Sequence, residues 1–511
     1  MMRASRCISI AILLTAAVVD VLPAQALTNI TSVYVAYTTR RNQLKPEGAL
    51  KARLDTIEGA MSAAMRGGHT EEARRLLAKA NVILSGRAWT DSLDVASSLR
   101  LRTDQQIIDS RRPYILRVEQ VYMPPVSFSR PPVAHAVLRK LPSSQGAPVQ
   151  LGDVVKEFSP VTGTNANVMA APVVLNLDLR DVADGNYVFY VDVTDSSHVS
   201  ARPALPVVVR NGIAEHAKAL ETAAASVPPT LRGEVLYPVD RMRSINAGEL
   251  QLNTFSTDRE FANADSVVAA VKANRDPFAG RTGDIKRHYL LDGANEVMPY
   301  RIYVPTSYSP STPMPLIVAL HGLGATEDSF FTGYGQALPR LAEANGYIVV
   351  APLGYRVDGF FGAGTGAGGQ DAAARRKSEL SEADVLLSLA IVRKAYNVDE
   401  RRIYLMGHSM GAIGAWYLAA KFPSMWAGLG VFSGQSAPAN AAKLKAIPEF
   451  VVHGDADATV NVSGSRSMVA ALQAAGADVV YKEIPGGSHI SVVEPQLAAM
   501  FEFFATHKQA H

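Results

Sequence analysis

Cysteine is almost absent from this chain of 511 residues: its single copy, Cys7, sits close to the N-terminus. Around it, Arg3 and Arg6 precede an apolar core from Ile8 to Val19 and then Ala24-Gln25-Ala26, the small-x-small pattern of a secretory signal. Cleavage near Ala26 is expected to leave an exported chain without thiols, in a periplasm or outside the cell. Disulfides, thiolate metal sites and a cysteine nucleophile are then excluded, and stability must come from burial of a core.

Charge of one sign is also lacking. The formal net charge is +3, and no stretch interleaves basic and aromatic residues, so nothing resembles a nucleic-acid surface. The densest basic run, Arg375-Arg376-Lys377, reads as a solvated loop before a helix. Asp20 and Pro23 interrupt the first apolar stretch and no later one reaches the length of a membrane span, so no stable membrane insertion is expected. There is no His-Glu-x-x-His and no comparable ligand cluster, so no metal or other cofactor is expected.

Several patterns are present. After the signal (1–26), residues 27–112 read as a helical segment: Leu50, Leu54, Ile57, Met61 and Ala64 recur at helical spacing, Gly67-Gly68 interrupts, and Glu71 to Leu84 resumes. Residues 113–211 change to period two, with Leu175, Leu177 and Leu179 and then Tyr187, Phe189, Val191 and Val193 alternating with other residues across the turn Asp184-Gly185-Asn186. This predicts a small β-sandwich-like module, either a spacer or a surface for polysaccharide. A helical and irregular connector follows over 212–284, with helices from Ile213 to Ala225 and from Asp258 to Asn274, the second opened by the capping box of Thr257 and Glu260. The Pro-containing stretch 227–255 reads as irregular.

Over 285–508 strand and helix signals alternate, which predicts an α/β domain with a mainly parallel eight-stranded sheet. The expected strands are 286–291, 299–304, 316–320, 347–351, 402–406, 428–432, 449–453 and 478–484. The expected helices are 334–345, 381–396, 409–421, 463–475 and 495–507.

Within this region Gly407-His408-Ser409-Met410-Gly411 follows the apolar run Ile403 to Met406 and opens a helical pattern, the setting of a nucleophile elbow. A free hydroxyl is a poor nucleophile, so Ser409 needs a base, and the base needs an orienting acid. His489 after the last strand is the candidate base. Asp457 is the candidate acid, with Asp455 as its competitor, whose alternative role is to brace the loop through backbone amides. The neighbouring His408 is expected to pack below the elbow, and His453 and His321 to be structural. The N–H groups of Met410 and of Leu323, in His321-Gly322-Leu323-Gly324, are the candidate oxyanion donors. The glycine-rich loop from Gly354 to Gly369 reads as substrate-facing, with Tyr355 and Phe360 as candidate contacts.

Taken together, His321-Gly322-Leu323-Gly324, Ala351-Pro352, Gly407-His408-Ser409-Met410-Gly411, His453-Gly454-Asp455-Ala456-Asp457 and Gly487-Ser488-His489 resemble the α/β-hydrolase superfamily. The resemblance is to its exported branch of polyhydroxybutyrate depolymerases, feruloyl esterases and esterase D. It implies a serine esterase acting on short acyl, hydroxycinnamoyl or polyester substrates, small or polymeric, and covers less than half of the chain. Ala412 stands where many relatives have a second glycine. Two alternatives remain: a peptidase similar to the prolyl oligopeptidases, whose repeated propeller blades are missing here, and a carbohydrate- or surface-binding protein that keeps the hydrolase domain as a scaffold.

Overall fold

A computed structural model describes residues 30–141, 152–195, 200–250, 252, 255–364 and 372–509. The expected signal, Cys7 and the cleavage site at Ala26 lie outside these residues. Two compact units are present. One runs through His216 and takes up Met242–Phe255, and the other comprises Ala217–Arg241 and the chain from Ser256 onward.

The first unit begins with helices. Gly48–Arg66 and Thr70–Leu84 pack through Leu54, Ile57, Met61 and Ala64 against Ala73, Leu77 and Ala80. Leu50, assigned to the same stripe from its spacing, is instead exposed at 37%. The helical reading of 27–112 also runs too far. Strands begin at Leu99–Thr103, where Leu-Arg-Leu-Arg-Thr alternates with the period of two that the preceding helical pattern obscured. Three strands, Leu99–Thr103, Tyr114–Gln120 and Val173–Leu177, form one sheet. A second sheet is built on Ala204–Val209, Gly185–Thr194 and Val133–Lys140. Leu116 and Leu175 of the first sheet share a core with Phe189, Val191 and Val207 of the second, which makes this a β-sandwich.

The second unit holds an eight-stranded sheet: β1 (Gly283–Leu291), β2 (Glu296–Val304), β3 (Met314–Leu320), β4 (Ile348–Pro352), β5 (Val398–His408), β6 (Gly428–Phe432), β7 (Glu449–Gly454) and β8 (Val479–Ile484). Their spatial order is β1-β2-β4-β3-β5-β6-β7-β8. β2 runs antiparallel to both β1 and β4, and from β4 onward every pairing is parallel. Along β3, Leu316, Val318 and Leu320 enter one apolar cluster while Ile317 and Ala319 enter another. Both faces are therefore covered, which is why these strands read as unbroken apolar runs. The covering helices include α1 (Ala337–Asn345), α2 (Ala372–Ala395), α3 (Met410–Lys421), α4 (Ser463–Ala474) and α5 (Val493–Thr506).

Two helices depart from the expected layout. α2 starts at Ala372 rather than near 381, because Ala372 to Lys377 are strong helix formers, and this places the basic run inside a helix instead of a loop. The stretch read as irregular contains an 18-residue helix, Pro229–Asn246. Leu231, Val235 and Val239 are buried at spacing i, i+4, i+8, a stripe masked by Pro228, Pro229 and Pro238; proline is tolerated in the first turn, where Pro229 sits.

One acid lies deep in the core of this unit. Glu449, the first residue of β7, is fully buried; its Oε2 accepts the indole N–H of Trp416 at 2.7 Å, and its Oε1 has no partner among the described residues. Burial pushes its carboxyl up from the ordinary 4.5 to about 8, against the pull of the Trp416 hydrogen bond. Between those values the folded state holds a proton that the unfolded state has lost, so each rise in pH favours unfolding. Thermal unfolding followed from about pH 5 to about pH 8 should show this loss of stability, and Glu449→Gln, which cannot ionise, should flatten it by several degrees of Tm. An unchanged slope in the variant would mean that Glu449 is not its source.

Candidate active site

The site is built at the carboxyl ends of β3, β5, β7 and β8. β5 ends at His408, α3 begins at Met410, and Ser409 between them is held at φ 58°, ψ −117°, a conformation that costs on the order of 1–3 kcal/mol for a residue with a side chain. The turn survives because its surroundings fix it. Ser409 N–H donates to Phe432 O at 2.9 Å and Ser409 O accepts from Ile413 N–H at 3.1 Å. A Cβ on Gly407 would stand 2.2 Å from the carbonyl of Gly411, and one on Gly411 would stand 1.9 Å from Leu320 O. Strand, turn and helix thus meet backbone to backbone.

The loop after β3 lies against the same turn: a Cβ on Gly322 would be 3.5 Å from Ser409 Cβ. Leu323, the next residue, is 37% exposed. Met410 is the first residue of α3, so its N–H has no acceptor within the helix, and the positive end of the helix dipole adds to it. His321 spans the base of the loop, with Nδ1 2.8 Å from Gly322 O and Nε2 2.7 Å from Leu353 O, and burial lowers its pKa.

Asp457 follows β7 and His489 follows β8. Asp457 Oδ2 is 2.7 Å from His489 Nδ1, and Oδ1 accepts the N–H groups of Thr459 and Val460 at 2.8 and 2.9 Å. Burial of the Asp457 side chain favours its neutral form, but hydrogen bonds from His453, His489 and Val460 outweigh this and hold the carboxyl well below the usual carboxylate range. Asp455 is arranged differently: it is exposed, and its Oδ1 accepts Gly486 N–H at 2.7 Å, bracing the loop toward His489. His453 is fully buried between Ser465 and Asp457, with Nε2 3.1 Å from Asp457 Oδ2.

His408 has a further connection that the sequence reading missed. Its Nδ1 lies 2.9 Å from Tyr334 Oη and its Nε2 lies 2.9 Å from His489 O. Burial and then the charge of His489 lower its pKa to about 3, so the ring is neutral, and burial pushes the Tyr334 hydroxyl up. Tyr334 O–H then donates to Nδ1 and Nε2–H donates to the His489 carbonyl, which also accepts from Ser433 Oγ at 3.0 Å. The residue before the nucleophile candidate therefore pins the backbone of the base candidate. His408 was visible as a neighbour of Ser409, whereas nothing local marks Tyr334, 74 residues away.

Tyr355 and Phe360 do not join this cluster. Tyr355 hydroxyl donates to Glu296 at 3.0 Å and its N–H donates to Asp384 at 2.7 Å, and Phe360 packs against the domain core. It is the adjacent Phe361, fully buried, whose ring edge meets His321 at 5.1 Å. The loop is folded through Gly364, with a 3-10 turn at Phe360–Gly362; residues 365–371 lie outside the described set.

Residues 293–475 match the model of the Esterase family, described as "Putative esterase". Among curated proteins, the bifunctional acetylxylan esterase/xylanase XynS20E of Neocallimastix patriciarum is 26% identical over 160 residues, 31% of this chain and 21% of that protein. Feruloyl esterase B of Neurospora crassa is 30% identical over 141 residues, 26% of this chain and 42% of that protein. The chain thus spans about a fifth and two fifths of the length of these relatives. Among solved structures, a thermostable esterase aligns with TM-score 0.38 at 17% identity, over 75% of this chain and 92% of its own. A CE1 ferulic acid esterase from Anaeromyces mucronatus aligns with TM-score 0.37 at 16% identity, over 45% and 92%. The strand order and the strained serine between β5 and α3 give the C-terminal region the α/β-hydrolase architecture, and residues 293–475 of it are similar to the esterase family.

Proposed function

We propose that this protein is an exported serine esterase that cleaves carboxylic esters through a Ser409–His489–Asp457 triad and an acyl-enzyme intermediate. The observation that carries the reading is the 2.7 Å contact between His489 Nδ1 and a buried Asp457, on a loop pinned by the neighbour of Ser409. Asp457, charged across the working pH range, fixes the imidazole with its proton on Nδ1 and leaves Nε2 to act on Ser409.

In this mechanism Ser409 Oγ attacks the ester carbonyl as His489 Nε2 takes its proton. The N–H groups of Met410 and Leu323 donate to the developing oxyanion, an arrangement worth roughly 3–4 kcal/mol per donor in comparable enzymes. His489 then protonates the departing alcohol, and water, activated by the same nitrogen, releases the acid and restores the serine. The names of the relatives, an acetylxylan esterase and a feruloyl esterase, favour acetyl and hydroxycinnamoyl esters on plant polysaccharide as substrates. The segment ending at Ala24-Gln25-Ala26 supports export.

Hydrolysis of p-nitrophenyl acetate, methyl ferulate, a polyhydroxybutyrate suspension and a prolyl anilide tests this reading. The first two should be cleaved, and Ser409→Ala should lower kcat/KM by roughly 10³-fold or more with folding intact. Turnover of the anilide alone would replace the esterase with a peptidase, and turnover of the polyester alone would replace the substrate class.

The two aspartates give a sharper comparison. Asp457→Ala should cost roughly 10³-fold in kcat, while Asp455→Ala, which loses only a loop brace, should stay within about threefold. The reverse ranking would reassign the acid.

A further inference from the structure

A cavity of mixed polar and apolar lining lies in the same unit, in a part of the chain that the proposed ester chemistry does not use. Its volume is about 370 Å³, within the range of small-molecule sites, and its walls come from Pro229–Asn246, Thr257–Lys272, the segment around Phe278 and β1. Helix and strand are brought together at Gly233, where a Cβ would stand 2.5 Å from Tyr289 Cα and 2.6 Å from His288 O. That close approach delivers the next residue, Glu234, into contact with β1.

Glu234 is buried and fully engaged. Its Oε1 accepts Arg287 Nε at 2.6 Å and His288 N–H at 3.0 Å, and its Oε2 lies 2.6 Å from His288 Nδ1. The imidazole is further clamped by Tyr237, stacked on it at 3.7 Å. His288 is 9% exposed and lines the cavity, yet its Nε2 has no hydrogen-bond partner among the described residues. A buried polar atom left without a partner is destabilising, so a ring held this firmly with one nitrogen unused is arranged for something that completes it.

The lining indicates what that is. Arg259, Arg281 and Lys286 are balanced by Glu234, Glu260 and Asp284, so the walls favour neither anion nor cation. Most of these charges already have counterparts: Arg259 pairs with Glu260, Asp284 with Arg301, and Lys286 with Glu327 and Asp328. Added to them on one helix are the amide of Asn263, which donates to Glu260 at 3.2 Å and keeps its carbonyl for a ligand, and the hydroxyl of Ser266, which donates to Ala262 O at 2.8 Å and can still accept; Phe278, whose ring carries the Arg287 guanidinium at 3.8 Å, adds an aromatic wall. A hydroxyl can donate to a neutral imidazole nitrogen and accept from a protonated one, so it satisfies Nε2 in either state. We infer that this cavity, walled by His288, Asn263, Ser266 and Phe278, binds a neutral polyhydroxylated ring of the size of one sugar unit, with a ligand hydroxyl on His288 Nε2.

The inference does not depend on the catalytic assignment, and its test keeps the two apart. Saturation-transfer NMR and Tm shifts would be measured on the full chain with D-xylose, L-arabinose and D-glucose, and with benzoate as an anionic probe. Wild type and Ser409→Ala should bind at least one sugar equally. Ser266→Trp, on the exposed face of its helix and large enough to fill the cavity, should raise that Kd at least tenfold while hydrolysis of p-nitrophenyl acetate stays unchanged. Asn263→Leu, also at an exposed position, provides the same reading should the tryptophan variant fail to fold. Absence of sugar binding, binding of benzoate alone, or sugar binding that survives both cavity variants would each overturn the inference.

Discussion

Everything at the candidate active centre depends on a packing constraint: three backbones meet beneath Ser409 with no room for a side chain at Gly407 or Gly411. That contact forces the serine into its strained conformation, and the strain is retained because relaxing it would require β3, β5 and α3 to separate. Those elements carry fully buried apolar residues, including Leu320, Leu405 and Ala415. The hydrophobic core therefore supplies the free energy that holds Ser409 in an unfavourable geometry, and interactions far from Ser409 contribute to keeping it there.

Polar contacts extend the same logic outward. His489 is held twice, through its ring by Asp457 and through its carbonyl by His408 and Ser433. Asp457 is held by two backbone amides and by His453. Each of these partners sits at the end of a strand or in the loop that follows it, so the sheet fixes their separations. Histidine serves here in three capacities: His489 at the surface of the site, His408 buried and neutral beneath it, and His453 behind the acid. Burial alone distinguishes the second and third from the first.

How much of this could be read from sequence varies with how local its cause is. The elbow was legible because its glycines, apolar run and helix start lie within a few residues, and the eight strands because burial on both faces leaves continuous apolar segments such as Met314–Leu320. Asp457 and Asp455 differ only in what they contact, His489 for the first and Gly486 N–H for the second, and no local pattern shows either contact. The helix Pro229–Asn246 was missed because its prolines signal a break while Leu231, Val235 and Val239 carry the helical period. The glycine-rich surroundings of Tyr355 suggest a substrate contact, and no local pattern shows that Glu296, 59 residues away, engages it.

The helix Pro229–Asn246 has one more consequence. Its first part, through Arg241, belongs to the hydrolase unit, and its last part, from Met242, belongs to the sandwich unit, to which the chain returns until Phe255. The hydrolase unit is therefore not a detachable cassette. A fragment starting at β1 would lack Glu234 and leave Arg287 without its buried counter-charge and His288 Nδ1 without its hydrogen-bond partner, and one starting at Ala217 would carry along Met242–Phe255 of the other unit. A boundary drawn where the chain passes from one unit to the other, after Arg241, cuts through a single helix.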